Sequence, residues 1–294
     1  MQLSYGQDPD LSPAVFALLE QVFPGLEKAA AQMRAWEAVW EAVSTPYLVY
    51  EGSRVVAHVG VIDLPLIVQG RRVRAGSVHA VATHPDRRRQ GLYRRLMDEV
   101  LEAAPSRYDL LLLTTENPEY YEPFGFRYVP ENRFEVDVAH QGHAGRLRPL
   151  DLADADDRLL LRRLVQQRTP VSRVVGIADA HQNDAGYTVF CFNEGFRTLL
   201  YAEELNVALA LQVTGTQLDL FDVAGPALPS VEQLLSVIAS PIDRIRFHFT
   251  PDRICPQARA IRHVPDYGGP SYLMVRGRFA AETGPFALPR TART

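Results

Sequence analysis

Two short segments between residues 78 and 126 contain the residue types that could do chemistry. The first reads Thr83-His-Pro-Asp-Arg-Arg-Arg-Gln-Gly-Leu-Tyr93, and the second reads Asn117-Pro-Glu-Tyr-Tyr-Glu-Pro-Phe-Gly-Phe126. An apolar run before the first segment, a Pro-Asp break and a periodic apolar stretch after it predict a strand, a loop and a helix start. Free N–H groups at a helix start favour an anion. The two segments therefore predict a phosphate-binding turn followed by tyrosines that can donate a proton.

The glycine and the arginines of the first segment suit a bound phosphate. Gly91 lets the backbone approach the anion closely, because it has no Cβ. Arg88 and Arg89 can add charge-assisted hydrogen bonds. Three consecutive arginines alone would equally suit a solvated charged turn. The preceding strand, Gly91 and the downstream tyrosines favour the phosphate site.

The elements that must position these residues follow from hydrophobic periodicity. Apolar residues at helical spacing predict two helices before residue 45, and glycine turns then separate three antiparallel strands. After the arginine-rich turn we expect a helix, a buried strand, a short helix and a last pair of strands. The predicted strands are 47–50, 55–68, 73–83, 110–115, 126–129 and 134–138, and the later helices are 88–104 and 119–122.

A small, polar and unpatterned stretch at residues 139–145 predicts a domain boundary, with one domain at 1–141 and another at 146–294. The second half repeats the order of elements, with a helical stretch ending at Leu164, strands at 197–202, 207–214 and 217–223, a helix at 230–239 and a strand at 245–250. Where the first half has its arginines, the second has Ala224-Gly-Pro-Ala-Leu-Pro-Ser230. We therefore expect a degenerate second copy.

Composition limits the class of protein. The chain has 294 residues, 47% of them hydrophobic, and a formal net charge of −4. This mild negative charge argues against a general nucleic-acid or membrane binder. Cys191 and Cys255 lie far apart, without the spacing of a zinc site or a disulfide framework, so we expect no metal. The first residues lack a signal-peptide pattern, and we expect a cytoplasmic protein without a membrane span.

These motifs resemble the GNAT superfamily of acyl-CoA-dependent N-acetyltransferases. The family signature, Arg or Gln followed by two residues, Gly, one residue and a small residue, reads Arg88-Arg-Gln-Gly91-Leu-Tyr93, with Tyr93 in the small position. Within the superfamily the sequence most resembles the tandem enhanced-intracellular-survival type, without its sterol-carrier-like domain. The resemblance implies an α/β (α+β) fold of tandem GNAT-like domains, each with a mixed, mostly antiparallel sheet flanked by helices.

The resemblance also implies a cofactor, acetyl-CoA, and a set of site residues. Val81 to Thr83 are expected to pair with pantetheine as an added strand would, and the helix start is expected to bind the pyrophosphate. Asn117 is expected to contact the pantetheine arm or to cap the following helix. The predicted cofactor-binding residues are Val81, Ala82, Thr83, Arg88, Arg89, Gln90, Gly91, Leu92, Tyr93, Arg94 and Asn117.

Tyr121 matches the family's general acid, which protonates the departing CoA thiolate. The adjacent Tyr120 competes for that role, and a packed aromatic without catalytic duty is the alternative. Strand alternation places His79, Val81 and Thr83 on one face, so His79 is the candidate base, against a purely structural histidine. Acidic and aromatic side chains are the candidates to bind a cationic acceptor: Glu37, Glu41, Asp63, Trp36 and Trp40.

The sequence therefore predicts transfer of an acetyl group from acetyl-CoA to a primary amine of a small molecule or peptide. Direct transfer in a ternary complex is expected, without metal, nucleic acid or membrane. A non-catalytic module that binds acyl-CoA or an effector is the alternative. Whether the chain forms a homo-oligomer stays open at this stage.

Overall fold

The computed structural model describes residues 5, 8, 10–142, 145–177 and 185–293, with Pro65 described by its backbone only. Its helices are α1 (Leu11–Val22), α2 (Leu26–Ala35), α3 (Trp40–Val43), α4 (Leu92–Arg107), α5 (Ala155–Gln166), α6 (Ala185–Glu194) and α7 (Val231–Ser236). Its strands are β1 (Ser44–Glu51), β2 (Arg54–Val68), β3 (Arg71–Thr83), β4 (Leu110–Thr115), β5 (Arg127–Tyr128), β6 (Glu131–His140), β7 (Leu147–Pro149), β8 (Val175–Ile177), β9 (Leu199–Ala202), β10 (Val207–Thr214), β11 (Gln217–Ala224), β12 (Ile242–Phe247), β13 (Arg259–His263) and β14 (Tyr272–Gly277). The predicted α/β class, with mostly antiparallel sheets flanked by helices, is confirmed.

The strands form two seven-stranded sheets. The first has the order β1-β2-β3-β4-β14-β5, with β8 pairing with β2, and the second has the order β13-β6-β12-β11-β10-β9-β7. Each sheet contains one parallel pair, β3 with β4 and β11 with β12, while the other pairs are antiparallel. A parallel pair requires a crossover, which α4 supplies in the first sheet and α7 in the second.

The two halves of the chain exchange strands between the sheets. The two strands predicted at 126–129 and 134–138 lie in different sheets: β5 pairs with β14, whereas β6 pairs with β12 and β13. β14 lies between β4 and β5, so a late segment of the chain completes the first sheet. The physical reason is burial, because Leu273, Met274 and Val275 are each at most 1% exposed in this position. The predicted division at residues 142–145 therefore does not coincide with the division between the sheets.

The helix α4 packs on one face of the first sheet. Leu96, Met97 and Val100 are buried there against apolar residues of β2 and β4. On the opposite face, α6 and the C-terminal segment share a core with β2 and β14. This second contact joins the C-terminal half to the sheet that holds the predicted site. Within the described residues, no helix has both the length and the apolar composition needed to cross a bilayer.

Candidate active-site cleft

A cleft of about 1300 Å³ opens where β3 and β4 separate. These strands pair from Ala75 with Leu110 to Ser77 with Leu112, and no further pairs follow although both strands continue. The backbone of β3 beyond Ser77 therefore presents an unpaired edge to the cleft. A free strand edge can accept an extended ligand arm by main-chain hydrogen bonding.

Most of the predicted site residues line this one cleft. The lining residues among them are His79, Val81, Thr83, Arg88, Arg89, Gly91, Leu92, Tyr93, Arg94, Asn117 and Tyr121. Two predicted residues are not among the lining residues. Ala82 is 3% exposed and packs with Leu18 and Val55 under α1, whereas the Gln90 side chain donates a hydrogen bond to the Asp86 carbonyl at 3.5 Å.

The start of α4 has the geometry of an anion site. Gly91, at the N-cap, has φ +79°, and Arg89 has φ +62°, so the chain turns sharply before the helix. No side chain caps the first turn, which also lacks acidic residues. Its N–H groups and the positive end of the helix dipole are thus left to a ligand.

The three consecutive arginines have different roles. Arg87 forms an ion pair with Glu51 at 2.6 Å, which fits the solvated charged turn. Arg88 and Arg89 are exposed at the cleft, and Arg88 reaches back to the Thr83 carbonyl at 3.4 Å. These two guanidinium groups can therefore donate hydrogen bonds to a phosphate.

The start of the corresponding helix in the second sheet, α7, is already capped by side chains. At the start of α7, the Ser230 hydroxyl accepts a hydrogen bond from the Gln233 N–H, and the Gln233 side-chain oxygen accepts one from the Ser230 N–H. Glu232 adds a negative charge to the same turn. A capping box satisfies the N–H groups that a phosphate would need.

Tyr121 lies deeper in the cleft than Tyr120. Burial raises the pKa of Tyr121 to about 12, so the phenol stays protonated at neutral pH. Its ring contacts those of Tyr93 and Phe126 at centroid distances of 6.0 and 6.1 Å. Tyr120 is 59% exposed at the rim. Of the two phenols, Tyr121 is the one with a fixed environment.

Tyr93 connects the anion site to the tyrosine motif. Its hydroxyl donates a hydrogen bond to the Tyr120 carbonyl at 2.9 Å, and its ring packs edge to face on Phe124. The bulky residue at the family's small position therefore has a defined place, bridging α4 and the turn at residues 118–124.

The predicted common face of His79, Val81 and Thr83 is wrong. The pairing of β2 with β3 shifts by one residue between His58 and Gly60, and Ala80 has φ +48°. This bulge turns Val81 toward α4, while His79 faces the opposite side of the sheet. Alternation cannot reveal a bulge, because the extra residue depends on the partner strand.

His79 is a buried, neutral imidazole. It is 3% exposed and its Nε2 lies 2.9 Å from the Ser44 hydroxyl oxygen. Burial, reinforced by the neighbouring His58, lowers the pKa of His79 well below its ordinary value. Its Nδ1 has no hydrogen-bond partner within the described part of the chain. The ring can therefore accept or donate one further hydrogen bond.

The C-terminal half supplies one wall of the cleft. Phe192 and Asn193 come from α6, Tyr267, Gly269, Pro270 and Ser271 from the loop before β14, and Arg290 and Arg293 from the last segment. Sequence reasoning missed these residues, because neither α6 nor β14 was predicted. The apolar run Tyr272-Leu-Met-Val275 was the signal that could have revealed the strand.

The predicted acceptor residues are mostly elsewhere. Glu37 pairs with Arg158 and Arg162, Glu41 with Arg34, and Asp63 with Arg107. Trp36 packs in a core with α5 and α6. Trp40 is the member of the predicted set that lines the cleft. The prediction of acidic residues around a cationic acceptor is therefore wrong for these three carboxylates, which are neutralised by arginines.

Comparison with known proteins supports an acetyltransferase fold. Residues 7–129 match a family model described as an acetyltransferase (GNAT) domain. A probable N-acyltransferase from Enterococcus faecalis V583 is 12% identical with a TM-score of 0.57, covering 94% of this chain and 71% of that one. A GCN5-related N-acetyltransferase from Kribbella flavida is 16% identical with a TM-score of 0.56, covering 94% and 69%. The comparison with curated proteins gives no match.

Proposed function

We propose that the protein is an N-acetyltransferase that transfers an acetyl group from acetyl-CoA to a primary amine of a small molecule or peptide. The observation that carries this proposal is the meeting of three features in one cleft: a free strand edge on β3, an uncapped start of α4 and Tyr121. The free strand edge suits the pantetheine arm of an acyl-CoA thioester, the anion site suits its pyrophosphate, and Tyr121 suits its departing sulfur.

The cofactor would enter as an extended arm beside β3. Its pyrophosphate would bind the N–H groups after Gly91 and the Arg88 and Arg89 side chains. Backbone groups at Val81 and Thr83 would hold the pantetheine arm, with Asn117 across the cleft. The acetyl group would then lie at the point where β3 and β4 separate.

Direct transfer in a ternary complex is the mechanism that we propose, and the single cleft supports it. The amine nitrogen attacks the thioester carbonyl carbon, a C–N bond forms and the C–S bond breaks. The sulfur leaves as thiolate and takes one proton, while the nitrogen loses one. The site would hold both substrates together, so this route needs no covalent enzyme intermediate.

Tyr121 would donate a hydrogen bond to the departing sulfur. Burial keeps the pKa of the Tyr121 phenol above that of a thiol, so complete proton transfer from Tyr121 to the thiolate is uphill. The phenolate that forms must therefore be reprotonated promptly, by the proton that the nitrogen loses. His79, as a neutral acceptor, would orient the amine N–H toward this exchange.

The decisive experiment combines binding with turnover. Acetyl-CoA should raise the melting temperature, and thiol release over a panel of amines should identify an acceptor. Tyr121→Phe should lower kcat about 100-fold or more while leaving CoA affinity nearly unchanged. Unchanged turnover in Tyr121→Phe would refute the general-acid role. Cofactor binding without transfer to any amine would favour the alternative, a non-catalytic acyl-CoA or effector-binding module.

Three further properties belong to the same proposal. The two halves are tandem copies, of which the first binds the cofactor and the second, with its capped α7, does not. The tandem arrangement resembles the enhanced-intracellular-survival type. A cytoplasmic location fits the buried free thiols of Cys191 and Cys255.

A further inference from the structure

The acceptor end of the cleft has an aromatic floor. Trp40 contacts His79 at a centroid distance of 4.5 Å and Phe192 at 5.4 Å, and all three side chains line the cleft. Phe23, just after α1, and Leu26, the first residue of α2, extend the apolar lining. A flat ring can pack against such a floor edge to face or offset.

Charge on this floor disfavours a cation. Among the described residues that line the cleft, the acids are Glu116 and Glu119, both exposed, whereas six arginines line it. The two arginines at the acceptor end are paired, Arg290 with Glu194 at 3.0 Å and Arg293 with Glu131 at 2.6 Å. No carboxylate of this described lining is buried beside Trp40, so an ammonium there would lose water without gaining a counter-ion.

From this geometry we infer that the acceptor is an aromatic amine that is uncharged at neutral pH, an inference that rests on the proposed acetyl transfer. The lone pair of an aromatic amine is delocalised into the ring, so the amine needs no deprotonation before attack. An alkylamine resembling lysine, with a pKa near 10.4, is neutral in only about one molecule in 2,500 at pH 7. The nitrogen of an aromatic amine loses one proton and the CoA sulfur gains one, so the reaction balances without a strong base.

The test compares two amines of similar shape, aniline and benzylamine, by thiol release across pH 6.5 to 8.5. The kcat/KM for aniline should stay flat over this range and exceed that for benzylamine at least tenfold at pH 7. The kcat/KM for benzylamine should rise about tenfold per pH unit, because its neutral fraction does. Equal or faster acetylation of benzylamine at pH 7 would overturn the inference and leave the proposed function standing.

A pair of phenylalanine variants locates the effect on the floor. Phe192→Leu should raise the KM for aniline about two- to tenfold, the range expected when one aromatic contact is lost. The matched control is Phe196→Leu, four residues further on, which packs on Trp36 outside the cleft lining and should leave that KM unchanged. An unchanged KM in a folded Phe192→Leu would overturn the aromatic floor. If spermidine or a peptide amine is acetylated and aniline is not, the inference fails alone; if no amine is acetylated, the proposed function fails first.

Discussion

The hydroxyl of Tyr93 donates a 2.9 Å hydrogen bond to the carbonyl oxygen of Tyr120, the residue immediately before the proposed proton donor. This bond ties the first turn of α4, where a pyrophosphate would bind, to the turn that orients Tyr121. In the proposed mechanism, cofactor binding and positioning of the proton donor would share one side chain. Tyr93 is a positioning residue in this arrangement, since its own hydroxyl is already engaged.

Tyr93→Phe tests this connection. The variant keeps the ring contacts with Phe124 and Tyr121 and loses one hydrogen bond, a net contribution of about 1 kcal/mol. We expect kcat to fall several-fold while the Kd for CoA changes little. Tyr128→Phe is the matched control, because Tyr128 packs on Tyr272 away from the cleft lining. Equal kinetics in both variants would contradict the positioning role.

Replacing both Arg88 and Arg89 by Ala tests the anion site. Each exposed arginine can add a charge-assisted bond to a phosphate, so we expect the KM for acetyl-CoA to rise at least tenfold while kcat is retained. Binding should also become less sensitive to salt. Arg95→Ala is the control, because Arg95 pairs with Glu99 on the same helix and is not among the lining residues. An unchanged KM in the double variant would count against the anion site.

The pair of Glu131 and Arg293 fastens the C-terminal segment to β6. Both carboxylate oxygens of Glu131 lie 2.6 Å from the Arg293 guanidinium, and both residues are at most 5% exposed. Glu131→Gln leaves a buried cation uncompensated and should lower the free energy of unfolding by about 3–5 kcal/mol. Glu282→Gln, in the more exposed ion pair with Arg127, should lower the free energy of unfolding by at most about 1 kcal/mol. Chemical denaturation of the two variants measures both losses. Equal losses in the two variants would contradict this ranking.

Glu194 predicts a pH dependence of stability. Burial outweighs the attraction of Arg290 and raises the pKa of Glu194 from its ordinary value to about 7. The folded state therefore binds more protons than the unfolded state between about pH 4.5 and 7. The contribution of this group is complete below that window and is lost as the pH rises through it. The melting temperature of Glu194→Gln should not fall in this way as the pH rises through the window. Parallel profiles of melting temperature against pH for the variant and the wild type would disprove the role of Glu194.

Local features were predictable from the sequence. The arginine-rich turn, Gly91 and the helix that follows are fixed by neighbouring residues, because a left-handed φ and an uncapped helix start are properties of a few consecutive positions. The buried strand Leu110–Thr115 was found at its observed bounds for the same reason, as a continuous apolar run. By contrast, the predicted common face of His79, Val81 and Thr83 is wrong, because β3 has a bulge at Ala80. That bulge depends on the pairing of β3 with β2.

The sequence by itself thus determined the arginine-rich turn with Gly91, the helix start after it, the tyrosine motif and the strands from β1 to β4, because these depend on spacing between nearby residues. Only the tertiary structure decided that β14 enters the first sheet, that α6 brings Phe192 beside Trp40, and that Tyr93 bonds the Tyr120 carbonyl. Those contacts join residues that are distant in the chain. They are stabilised by burial of apolar surface, and the hydrophobic pattern of one segment does not show which other segment it packs against.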